Sequence, residues 1–91
     1  MNVKLTMAIG KGEVEEPRLA TKMIELDFTP AVGMGYLDGT WQVDRKIEFV
    51  SIENLSGDPA RLVVSLGVDE TGSVEQLRAT YEEWGWKISR S

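Results

Sequence analysis

The chain has 91 residues, 42% apolar and 27% charged, with a formal charge of −5 and neither histidine nor cysteine. That length fits one domain, which buries roughly 60 to 65% of the surface of its unfolded form. The missing residue types exclude disulfides, thiolate or imidazole metal sites, and Ser-His or Cys-His nucleophilic catalysis.

Asn2 to Ile9 alternates strictly, Val3, Leu5, Met7 and Ile9 on one side against Asn2, Lys4, Thr6 and Ala8, which predicts a half-buried strand rather than the continuous apolar run of a signal peptide. No apolar run approaches the roughly 20 residues of a membrane span, so no membrane partner is expected and the default location is cytoplasmic. Gly10 to Pro17 is polar, with two glycines and a proline, and reads as a loop, Pro17 being suited to open a helical turn. Lys22 to Phe28 alternates again, with Ile24, Leu26 and Phe28 opposite Glu25 and Asp27, until Pro30 removes a ladder donor.

Pro30 to Trp41 carries Gly33, Gly35 and Gly39. A dinucleotide fingerprint needs G-x-G-x-x-G between a strand and a helix; here the spacing is G-x-G-x-x-x-G and a long alternating segment follows. No Gly-Lys-Ser or Gly-Lys-Thr supports a P-loop either. Asp38-Gly39 instead predicts a two-residue hairpin turn with Gly39 at positive φ. Gly33 and Gly35 fall on one face of the first arm and leave it bare, as candidate close-approach glycines for an aromatic, a crossing strand or a ligand. The order Pro30, Gly33, Asp38-Gly39, Trp41 resembles in a general way the hairpins of small SH3-like barrels, and no functional residue is carried over from that resemblance.

Trp41 to Glu53 is the longest strand candidate: Trp41, Val43, Ile47 and Phe49 share a phase, then Val50 and Ile52 take the opposite one, which predicts a bulge or bend. Asn54 to Pro59 supplies turn residues, and Arg61 to Val68 is a strand with Leu62, Val64, Leu66 and Val68 in phase and Val63 opposed. After Asp69-Glu-Thr-Gly72 the period lengthens to that of a helix. Ser73 is an N-cap with Gln76 completing a capping box, Val74, Leu77, Tyr81 and Trp84 form one stripe, and Gly85 terminates it. The helix is predicted over 73–84, with a short strand through Trp86 and Ile88.

These elements give one α+β domain over residues 1–91: a curved, mainly antiparallel sheet of five or six strands, open or partly closed as a small barrel, with one C-terminal helix packed on it. From Met23 to Ala60 seven acids face only Arg45 and Lys46, so a phosphate backbone is repelled and no nucleic-acid partner is expected. Asp69-Glu70 and Glu82-Glu83 are adjacent pairs whose side chains diverge, and Asp69 onward lacks the ligand spacing of an EF-hand, so turn and cap chemistry explains the first pair and a solvated helix face the second. No cofactor, metal or catalytic residue is predicted.

Three tryptophans and two tyrosines leave Tyr36, Trp41 and Trp86 as candidates for an aromatic surface, since each lies near a strand end. With Val50 and Val63, whose phases exceed what one sheet face and one helix cover, they form the candidate interaction residues. Two functions are expected ahead of a third, a purely structural or assembly subunit. One is a non-catalytic binding or adaptor protein acting through protein–protein contact, as a homo-oligomer, of the kind that suits a phage or mobile-element accessory gene by analogy. The other is a small-molecule pocket between sheet and helix, lined by Tyr36 and Trp41 with Asp44 or Arg45 as its polar groups.

Overall fold

The computed structural model describes residues 1–57 and 59–89. The turn residue Asp58 and the last two positions lie outside the described residues. Five strands form a mixed sheet: β1 (Asn2–Ile9), β2 (Arg18–Glu25), β5 (Phe49–Glu53), β6 (Arg61–Asp69) and β7 (Lys87–Ile88), in the order β5-β6-β1-β2-β7. Two further two-residue strands, β3 (Gly35–Tyr36) and β4 (Arg45–Lys46), pair with each other as a separate arm. One helix among the described residues, α1 (Val74–Glu83), follows β6. The chain is therefore a small α+β domain.

The central pair β1 and β6 runs parallel, and the other three ladders of the sheet are antiparallel. A parallel pair needs a long connection, and the residues between Ile9 and Arg61 provide it through β2, the arm and β5. Closure into a barrel does not occur, nor is the sheet strongly curled: β5 and β7 are two separate edges.

The alternation in β1 places its even and odd residues as expected. Val3, Leu5, Met7 and Ile9 are buried, and directly opposite them lie Ile24, Lys22, Ala20 and Arg18 of β2 and Leu62 and Val64 of β6. α1, Trp86 and the β3–β4 arm cover this face through Tyr81, Leu77, Tyr36, Trp41 and Ile47. Burying a side chain of Leu, Ile or Met size contributes about 1.5–3 kcal/mol, so the β1 row with Val64 and Leu66 is the main apolar support of the fold.

The helix agrees closely with its sequence signals. Ser73 Oγ accepts from Gln76 N, the Gln76 side chain accepts from Ser73 N, and Gly85 at φ 90° ends the helix after Trp84. The second strand begins earlier than expected, at Arg18, and no helical turn forms after Pro17. The long strand expected from Trp41 to Glu53 is two short ones in two sheets. Ile47 and Glu48 separate them: Ile47 N donates to Met34 O within the arm, whereas Glu48 N donates to Ser65 O of β6. The change of hydrophobic phase at this point is the passage of the chain from arm to sheet.

Two turn assignments change. Asp38-Gly39 is not a two-residue hairpin, because Tyr36 pairs with Arg45 and the residues between them form a longer loop. Gly39 is absent from the positive-φ glycines, while Gly33 has φ 91°. In β6, Gly67 adopts φ 87° and the register with β1 shifts between Thr6 and Ala8. The extra residue reverses the alternation, so Val68 turns outward and Asp69 turns in to lie opposite Ile9, 2% exposed.

Candidate functional site

Asp38 and Asp69 are the buried charged residues of the covered face. Each opens an Asp-x-Thr segment, Asp38-Gly-Thr40 and Asp69-Glu-Thr71. In both, the carboxylate accepts from the threonine backbone N–H two residues on and from its hydroxyl, the local capture to which aspartate is suited.

The remaining acceptor sites are filled from other elements. Asp38 Oδ1 accepts from Lys22 Nζ and from Tyr36 OH, both at 2.8 Å, and Trp86 Nε1 approaches Oδ2 at 3.4 Å while donating to Thr40 Oγ1 at 2.9 Å. Asp69 Oδ2 accepts from Tyr81 OH at 2.6 Å and lies 3.5 Å from Arg45 Nη2. The tyrosine has one hydroxyl proton, so donation to the carboxylate leaves Met7 Sδ, 3.2 Å away, as a packing contact. Trp41 Nε1 donates to Tyr81 OH at 2.9 Å and links the arm to the second cage.

The electrostatics follow from that geometry. Burial raises the Asp38 carboxyl, but hydrogen bonds from Lys22, Thr40 and Tyr36 outweigh it and hold the group at about 2. Burial likewise opposes the Asp69 charge, and bonds from Thr71 and Tyr81 with the Arg45 charge again prevail, keeping it below the usual carboxylate range. Tyr36 and Tyr81 move the other way: burial, then the carboxylates to which they donate, raise both phenols above their ordinary value. A carboxylate whose lone pairs are filled by four or five donors has none left to take a proton from a substrate. Both cages act as fasteners that hold the arm against the sheet and helix.

Four rings lie between the cages. Trp41 meets Tyr36 at 6.2 Å, Trp86 at 5.8 Å and Tyr81 at 6.3 Å between centroids, with Tyr81 and Trp86 5.4 Å apart, all in edge or tilted arrangements. The Arg45 guanidinium lies 5.2 Å over Trp41, which gives its buried Nε a ring face in place of a hydrogen-bond acceptor.

The structure thus brings together Tyr36, Trp41 and Trp86, two of them half-buried and Trp86 fully so. Val50 also belongs to the covered face, opposite Val64, and packs on the core. Val63 lies apart from these, on the opposite face beside Lys4 and Ser51. Of the two candidate close-approach glycines, Gly35 has the Asp44 carboxylate where its Cβ would be, whereas Gly33 faces open space and is needed for its backbone angle. The true close approach to an aromatic is at Gly39, where a Cβ would collide with the Trp84 ring.

Asp38, Asp69, Lys22, Thr40, Thr71 and Tyr81 escaped the sequence reading as a connected set. The repeated Asp-x-Thr is the signal that could have found them, since it appears in both loops that flank the aromatic cluster.

Room for a ligand near Gly35 and Tyr36 is slight. An apolar slot there, bounded also by Leu5, Ile47 and Val64, measures about 60 Å³, against roughly 30 Å³ for one water in the liquid. A larger cleft of about 510 Å³ opens at the foot of the sheet between Met1, Met23, Ile52, Pro59 and Leu62. Among the described residues no group of acids is arranged to hold a metal ion, and no helix is long and apolar enough to cross a membrane.

Among the described residues, no helix or second sheet covers the other face of the sheet. Register places Leu19, Thr21 and Met23 of β2, Lys4, Thr6 and Ala8 of β1, Val63, Ser65 and Val68 of β6, and Phe49 and Ser51 of β5 on that side. Leu19, Met23, Phe49 and Val68 are all exposed. Lys4 and Arg61 both pair with Glu53 along one margin. Comparison with protein-family models, with curated proteins and with solved structures finds no match to this chain.

Proposed function

We propose that the chain is a non-catalytic binding or adaptor protein that acts through protein–protein contact, and that the uncovered sheet face is its working surface. The observation that carries this reading is the asymmetry of the sheet. One face is closed by helix, arm and two saturated carboxylate cages, while the other exposes Leu19, Met23, Phe49 and Val68 among serines and threonines. Apolar side chains set among small hydroxyls and rimmed by ion pairs resemble the centre and rim of an interface. The acidic charge favours partners with basic or neutral surfaces.

The test is affinity capture from a lysate that also contains untagged chain, with wild type and a Leu19→Glu, Met23→Glu variant. Both positions are exposed on β2, three strands from β5, so the fold tolerates the change. A protein, or the untagged chain, held by wild type and lost by the variant supports the reading. Equal recovery by both, or none by either, removes it.

The 510 Å³ cleft favours small-molecule binding as a second reading, because its volume falls in the ligand range of roughly 300–1,000 Å³. This moves the candidate pocket from Tyr36 and Trp41 to the end of the sheet. Ligand-induced NMR shifts confined to Met23, Ile52 and Leu62 would favour it over the protein-contact reading.

A further inference from the structure

We propose that a second copy of this chain adds to the sheet along β5, antiparallel, in the register that sets the two Ser51 residues opposite each other. The inference rests on the protein-contact reading above and names one partner together with the edge that it takes.

β5 pairs on one side with β6 and is the last strand of the sheet, so one row of its backbone groups has no strand beside it. Edges that must stay single are protected by lysine, proline, a bulge or a covering segment. Phe49-Val-Ser-Ile-Glu53 contains no lysine and no proline, and its single charge, Glu53, is already engaged by Lys4 and Arg61. Phe49 is 68% exposed and Ile52 72%, on opposite faces of the same strand. Apolar exposure on both sides of an unprotected edge suits pairing with another strand more than contact with solvent.

The sequence of the strand selects a copy of itself and one register. With Ser51 at the two-fold axis, Val50 stands opposite Ile52 of the second copy and Ile52 opposite its Val50. Within each copy Val50 is already paired with Val64 and Ile52 with Leu62. The apolar row Leu5, Val64, Val50 would then run on through Ile52, Leu62 and Val3 of the second copy, twice by symmetry. Moving the axis to Val50 sets Glu48 against Ile52, and moving it to Ile52 sets Val50 against Asn54. The first keeps only Val50 against Val50 and the second only Ile52 against Ile52, whereas the Ser51 register gives both residues of each copy an apolar partner across the seam. In the Ser51 register Glu53 faces Phe49 and Glu48 faces Asn54, so no acid meets an acid despite the acidic charge of this segment. An isologous pairing of this kind closes on itself as a dimer and leaves no further edge of β5 to propagate.

The chain contains no cysteine, so a single introduced thiol reports the axis directly. Opposed residues of an antiparallel pair have Cα atoms about 4.5 or 5.5 Å apart. Both values lie inside the range of about 4.4–6.8 Å that a disulfide spans. The experiment combines light scattering on wild type and Ile52→Lys with mild oxidation of Ser51→Cys and, as control, Ser56→Cys in the exposed turn after β5. The expected results are a wild-type mass of twice 10.1 kDa, a single-chain mass for Ile52→Lys with an unchanged circular dichroism spectrum, and a covalent dimer for Ser51→Cys at concentrations where Ser56→Cys stays monomeric. A wild-type monomer throughout the concentration range overturns the pairing, and so does Ser51→Cys cross-linking no better than Ser56→Cys. Either failure leaves the partner captured through Leu19 and Met23 to be judged separately, since Leu19 lies three strands from β5 and Met23, which shares the cleft at the foot of the sheet with Ile52, is on the opposite face from it.

Discussion

Replacing Asp38 by asparagine tests whether the first cage fastens the arm to the sheet. The substitution keeps the size of the side chain but removes its charge and turns one oxygen into a donor. Every partner of Asp38 is itself a donor, so the new amide must face either Lys22 and Tyr36 or the Thr40 N–H, Thr40 hydroxyl and Trp86. The depression of the carboxyl from 3.8 to about 2 is worth about 2.5 kcal/mol at 1.36 kcal/mol per pKa step, and a side chain only 5% exposed is little screened by solvent. Losing one charge-assisted hydrogen bond gives a similar figure, about 1.5–3 kcal/mol. A 91-residue domain has about 5–14 kcal/mol of stability in all, so the variant should lose a large fraction. At roughly 4–8 °C per kcal/mol, Tm should fall by about 10–20 °C. Urea unfolding followed by tryptophan fluorescence reads the change, because Trp86 is buried beside the cage. The folded-state value lies below the unfolded one, so the contribution is complete above about pH 4 and is lost as pH falls through about 2. The gap between wild type and Asp38→Asn should therefore be widest at neutral pH and close in strong acid. Equal stability at pH 7, or a gap that persists unchanged near pH 2, would refute the argument.

Three further outcomes follow from the backbone and the caps. Gly67→Ala must place a side chain at φ 87° and against Glu48, and a left-handed non-glycine residue costs about 1–2 kcal/mol; thermal melts should show at least that loss. Gly33→Ala and Gly39→Ala should destabilise for different reasons, so adding Trp84→Ala restores much of the stability of the Gly39 variant and none of the Gly33 variant, as a double-mutant cycle would measure. Ser73→Ala removes the acceptor for Gln76 N and should lower stability by about 1 kcal/mol in urea titration, with the helix content of the folded state unchanged.

The parts of the fold that the sequence makes legible are those governed by local periodicity. β1 keeps its period over eight residues because one face is buried along its whole length. α1 is legible because cap, box, stripe and terminator all agree. Legibility fails where a single residue changes the phase. Leu62 to Val68 reads as one alternating row, and only the conformation of Gly67 reveals that Val68 leaves the core and Asp69 enters it. The glycines of the arm are misread for a related reason: a composition rich in glycine shows that freedom or space is needed, and Gly33 and Gly39 divide those two roles in the opposite way to the expected one. Among the candidate residues, Tyr36, Trp41 and Trp86 do meet, but on the covered side, because hydroxyls and indole N–H groups reach buried carboxylates that no local pattern announces.

The two Asp-x-Thr cages bear directly on where the protein can meet another molecule. An arm with only two residues in each of its strands is too short to hold its position by its own ladder, since isolated hairpins are marginal in water. Lys22, Trp86, Tyr81 and Arg45 supply the missing hold through Asp38, Asp69 and Trp41, and in doing so they engage both buried carboxylates on the core side of the sheet near the arm. Opening that side to a ligand would separate buried charges from their partners, at several kcal/mol for each carboxylate. The opposite face and the β5 edge carry no such penalty. Phe49 belongs to both, and a molecule that approaches there displaces water from exposed apolar surface without disturbing a buried ion pair. The energetics of the closed face thus favour the open one for the proposed protein contact.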